Sequence, residues 1–91
     1  MAVFSVIATS NPEKVQAAIT ARYGANHFAF SPTAWFVSDS GTSKDVADRI
    51  GLTSGGIEAT GVVLSFTGYS GWAKGDAWAW LQQFPEARSN G

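Results

Sequence analysis

The chain has no cysteine, one histidine, three prolines and few charges, and each scarcity removes a class of explanation. Without cysteine there is no disulfide framework and no thiolate ligand. A zinc site draws on three or four protein ligands, which the lone His27 cannot assemble, so a hydrogen-bonded structural role is expected for it. Charged residues make up only 14% of the 91 positions, with six Lys and Arg against seven Asp and Glu and a formal net charge of −1. The cations Lys14, Arg22, Lys44, Arg49, Lys74 and Arg88 lie far apart in sequence. A nucleic-acid partner would need them to converge in space or in a dimer groove; scattered, solvated charge is the expected arrangement. No apolar run approaches a membrane span, and no basic segment followed by a long apolar stretch opens at Met1. These two absences predict no membrane association and a cytoplasmic location.

What the chain has is apolar and aromatic surface: 45% of its residues are hydrophobic and 13% aromatic. That composition describes one globular domain, over residues 1–85, with a polar tail over 86–91. A domain of this size hides only roughly 60–65% of the surface its unfolded chain exposes. With no disulfide available, dimerisation is the remaining inexpensive source of stability. Three of the four tryptophans fall between Gly68 and Phe84. Each such ring hides roughly 150–250 Å² when packed, so that segment is either core or the seam with a second molecule.

Periodicity and punctuation order the elements. Ala2 to Thr9 is a strand apolar on both faces, with Phe4, Val6 and Ala8 opposing Val3 and Ile7. Asn11 is placed to cap a helix that starts at Pro12, carries Val15, Ala18 and Ile19, and stops at Gly24. His27 to Ser31 and Thr33 to Ser38 form a hairpin turning near Pro32. Thr42 with Asp45 three residues on has the form of a capping box, opening a short helix through Ile50 that Gly51 and Leu52 end. A last long strand, Thr60 to Thr67, shows Val62, Leu64 and Phe66 on one face. Asp76 then caps a final helix through Phe84, which Pro85 ends. The resulting fold class is α+β: a ferredoxin-like βαββαβ plait with a four-stranded antiparallel sheet, two helices on one face and an extra C-terminal helix.

Two helices cover one side of such a sheet, yet both sides here carry large apolar residues. Trp35 and Phe36 are neighbours and point to opposite faces, and Val63 opposes Val62 and Leu64. Either the final helix crosses the second face or a second copy packs there. A homodimer is therefore expected, with Trp35, Tyr69, Trp72 and Trp78 as the candidate binding or seam residues. A further protein partner fits the same surface.

Catalytic patterns fail on inspection. Ser70 in Gly68-Tyr69-Ser70-Gly71-Trp72 has Trp72 where a nucleophile elbow needs glycine. Gly41-Thr42-Ser43-Lys44 lacks the glycine-lysine order of a phosphate loop. Asp39 and Asp76 read as solvated caps rather than as a metal pair. The expected sites are thus no catalytic set, no metal and no cofactor. Tyr69, Trp72 and Trp78 admit a base-stacking platform as the sharp alternative to a core or dimer seam.

The strand Ala34-Trp35-Phe36-Val37, the helix opening Thr42-Ser43-Lys44-Asp45, and the ending Gly68-Tyr69-Ser70-Gly71-Trp72 to Trp80-Leu81 carry a family likeness. With the element order from Val3 to Phe84, the chain resembles the small CRISPR-associated ferredoxin-fold proteins, relatives of the second CRISPR-associated protein, including short SinR-like members. The resemblance implies a homodimer in a defence, toxin–antitoxin or mobile-element setting. Members that cleave nucleic acid place an aspartate at the end of the first strand, whereas this chain has Ala8-Thr9-Ser10 there. The expectation is accordingly a non-enzymatic, homodimeric binding or assembly module. Its rivals are a metal-dependent endoribonuclease with ligands from Asp39 or Asp76, and a small-molecule binder with an aromatic pocket near Tyr69 and Trp72.

Overall fold

The computed structural model describes residues 2–70, 75–84 and 88–89. Its elements are β1 (Ala2–Ser10), α1 (Pro12–Tyr23), a 3-10 turn (Gly24–Asn26), β2 (His27–Ser31), β3 (Ala34–Asp39), α2 (Ser43–Ile50), β4 (Thr60–Phe66), β5 (Gly68–Tyr69), α3 (Gly75–Leu81) and β6 (Arg88–Ser89). This is a small α+β fold. Four strands make one antiparallel sheet in the order β2-β3-β1-β4, with the hairpin β2–β3 on one side of β1 and β4 on the other.

The helix boundaries follow from local chemistry. Pro12 opens α1, where a missing N–H costs nothing. Asn11 does not cap it through its side chain, contrary to expectation: its backbone is left-handed at φ 47°, and its Nδ2 instead donates to the Glu58 carbonyl at 2.6 Å. Asparagine tolerates that conformation better than most residues. α2 begins as expected. Thr42 Oγ1 accepts from the Asp45 amide at 3.2 Å, and Asp45 Oδ2 accepts from the Thr42 amide at 2.8 Å. At its other end Gly51 is left-handed, and the Leu52 and Gly51 amides donate back to the Ala47 and Asp48 carbonyls.

The first core lies between the sheet and the two long helices. Phe4, Val6 and Ala8 of β1 and Trp35 and Val37 of β3 meet Val15, Ile19 and Tyr23 of α1 and Val46 and Ile50 of α2. β4 joins β1 so closely at its start that a Cβ on Gly61 would stand 2.6 Å from the Ile7 carbonyl oxygen, which restricts this position to glycine. The register shifts beside it, between Ala8 and Ser10.

Two expectations for the C-terminal part change. The final helix is shorter, ending at Leu81, and it starts at Gly75, so Asp76 sits inside the first turn rather than at the cap. Within the expected loose tail, Arg88–Ser89 pairs in parallel with Gly68–Tyr69. The expected stop at Pro85 lies outside the described residues.

Candidate functional site

The second face of the sheet is laid out in three rows by the strand register. Leading from β4 inward, the first row is Val62, Ile7 and Ala34; the second is Leu64, Ser5, Phe36 and Phe28; the third is Phe66, Val3 and Ser38. α3 covers the third row and most of the second. Its spacing explains how: Ala77, Trp80 and Leu81 recur at three and four residues, form one stripe, and are buried. Trp80 and Leu81 join Val3 in a second core, with Phe28, Phe36, Phe66, Tyr69, Trp78 and Phe84 packed against it.

Phe36 is the centre of this aromatic set. Its ring lies 6.2 Å from Phe28, 5.1 Å from Phe30, 5.8 Å from Phe66 and 6.2 Å from Trp80. Tilted and offset pairs at such separations add to simple burial. At the margin, Tyr69 and Trp78 stack on each other at 5.7 Å with planes 12° apart. Two rings in direct contact leave no slot between them for a ligand ring.

Ile7 and Val62 of the first row, Leu64 at the β4 end of the second, and Phe30 at the β2 edge stay uncovered. Ile7 is 36% exposed, Phe30 46%, Val62 48% and Leu64 52%. Ile7 and Val62 are direct cross-strand partners, and Phe30, at the register shift of β2, leans onto Phe36 from the opposite edge. The result is an apolar strip across the sheet with no charged side chain among its members, beside the outer strand β4.

The polar groups are committed elsewhere. Asp39, at the end of β3 and buried, accepts from the Tyr23 hydroxyl at 2.8 Å, from the Gly41 amide at 2.8 Å and from Arg49 Nη1. Burial alone pushes its carboxyl up, but the hydrogen bonds from Arg49, Gly41 and Tyr23, with the Arg49 charge, hold it below the usual carboxylate range. Burial and the bond to Asp39 push the Tyr23 hydroxyl well above its ordinary value. Asp39 thus ties β3 to α1 and α2, and is neither the solvated cap expected nor a carboxylate with oxygens to spare for a metal. Asp76 is exposed, and its Oδ1 accepts from the Ala77 amide at 3.1 Å. His27 Nδ1 is hydrogen-bonded to the Gly24 carbonyl. Among the described residues, no three His, Cys, Asp or Glu side chains converge as a metal set.

At the end of β1, hydroxyls bond to one another. Thr9 and Ser10 reach Thr60 Oγ1 at 2.7 and 2.8 Å. Nearby Glu58 shares the left-handed backbone of Asn11, at φ 58°, and its carboxylate stands 3.7 Å from Lys14 Nζ.

Of the four aromatic candidates, Trp35 is fully buried in the first core with its indole N–H bonded to Gln16 Oε1, which withdraws it from any seam. Tyr69 and Trp78 come together, half-buried. Trp72 lies outside the described residues. The strip itself was signalled by alternation in three separate strands, but which strands lie side by side is needed to assemble it. No family model matches the chain. No curated protein matches it either.

Proposed function

We propose that the chain is a non-enzymatic, homodimeric binding or assembly module built on a ferredoxin-like plait. The strand order β2-β3-β1-β4, with α1 and α2 on one face, supports the plait reading, and α3 is then an addition. The observation that carries the function is the uncharged strip of Ile7, Phe30, Val62 and Leu64. Side chains this apolar gain free energy whenever a partner removes them from water. A cytoplasmic defence, toxin–antitoxin or mobile-element setting follows from the family resemblance and belongs to the same proposal. Catalysis is not part of it, since the end of β1 offers hydroxyls bonded among themselves and Asp39 is held by three donors.

Sedimentation velocity across the micromolar range tests this reading. The expected result is twice the monomer mass, falling to the monomer on dilution. A monomer throughout contradicts it. Labelled RNA and DNA incubated with magnesium or manganese should remain intact; metal-dependent cleavage lost in Asp39→Ala or Asp76→Ala would replace the module with a nuclease.

A further inference from the structure

The structure points to how two copies meet, and we propose that they join through the free edges of their β4 strands, extending one four-stranded sheet into a continuous eight-stranded one. This rests on the homodimer reading above and specifies its geometry. The alternative, strip against strip, has only four side chains 36–52% exposed to offer, a patch no larger than many stable monomers carry, and it leaves the β4 edge unpaired.

The edges of the sheet are unequal. β2 is five residues long, is disturbed by a register shift between Ala29 and Ser31, leads into Pro32, and has Phe28 packed against Trp80 of α3. β4 runs for seven residues, Thr60-Gly61-Val62-Val63-Leu64-Ser65-Phe66, without a proline or a charge. Its inner side pairs with β1, and among the described residues no strand pairs with its outer side. Proteins usually blunt such an edge with lysine, proline or a bulge, because its unpaired N–H and C=O groups invite another strand. β4 has no such charge or proline.

Self-pairing suits this strand. A two-fold axis at Val63 makes the two strands antiparallel, as every neighbouring pair in the sheet is, and sets Val63 opposite its own copy. Val62 then faces Leu64 of the second copy on the strip side, giving two apolar cross-strand pairs. Gly61 faces Ser65 and Thr60 faces Phe66, so no like charges oppose each other anywhere along the seven positions. Val62 and Leu64 of the two copies meet across the joint, while Ile7 and Phe30, on β1 and β2, stay on the open face.

The test uses single cysteines, each free of competing thiols because the chain has none of its own. Opposed Cβ atoms across an antiparallel pair stand about 4.5–5.5 Å apart, close to disulfide reach. Mild oxidation of Val63→Cys should therefore yield a covalent dimer, while Ile7→Cys, one strand in from the edge, should not. In wild-type protein, hydrogen exchange at alternate β4 amides should slow by about ten-fold or more on passing from dilute monomer to dimer. A dimer that links through Ile7→Cys but not Val63→Cys, with the β4 amides exchanging unchanged, overturns edge pairing and leaves the dimer reading standing. A monomer at every concentration, with neither variant linking, overturns both.

Discussion

The two faces of the sheet use similar residues and reach different ends. On one face α1 and α2 together seal Phe4, Val6, Val15, Ile19, Trp35, Val37 and Val46, all at or near zero exposure. On the other a single seven-residue helix, α3, seals Val3 and Leu81 while Ile7, Phe30, Val62 and Leu64 stay in water. Apolar pattern alone therefore does not decide burial. A helix of seven residues spans only about 10 Å, too little to cover four strands, and the part of the face beyond its reach stays in water.

The sharpest way to break this comparison is to empty each core in turn. Trp35→Ala should cost about 3–5 kcal/mol, because the indole is fully enclosed and its N–H loses Gln16 as well. Trp80→Ala, beneath the shorter helix and 9% exposed, should fall near 3 kcal/mol. Trp78→Ala should cost less, about 1 kcal/mol, since the ring is half-buried and packs mainly on Tyr69. Urea denaturation of the three variants measures all of this. Equal losses for Trp78→Ala and Trp80→Ala would mean that the helix does not present the face described.

An effect smaller than that of Trp35→Ala should mark the helix side alone. Asp39→Asn weakens the bonds from Tyr23, Gly41 and Arg49, at about 1.5–3 kcal/mol. The sign with pH is fixed by the direction of each shift. Asp39 is held low in the folded chain, so its contribution is present above the unfolded value of about 3.9 and disappears as pH falls through the folded one. Tyr23 is held high, so its contribution is intact below about pH 10 and disappears as pH rises through its folded value. Thermal unfolding against pH should show a shallower acid limb in Asp39→Asn than in wild type.

Much of this architecture was legible in the residues. The capping box of Thr42 and Asp45, the stop at Gly51 and the stripe of α1 are local devices whose chemistry lies within a few positions. Alternation placed Val62, Leu64 and Phe66 on one face of β4. What escaped depends on distant parts of the chain. Asn11 makes its side-chain bond to Glu58, 47 residues away, so its capping role could not be judged locally. Asp39 read as a surface cap because Tyr23 and Arg49 reach it only through the packing of both helices. Trp35 was indistinguishable from Phe36 as a seam residue until the register showed which of the two faces the helices.

The account turns on the uncovered strip being a contact surface rather than an idle one. Val62→Lys combined with Leu64→Lys tests this most directly, because both side chains are about half exposed and should each alter the stability of the single chain by only about 0.5 kcal/mol. Sedimentation equilibrium of this double variant beside wild type at the same micromolar concentrations should return a folded monomer for the variant and a dimer for wild type. A double variant that associates as strongly as wild type would contradict the claim that this part of the sheet brings two copies together.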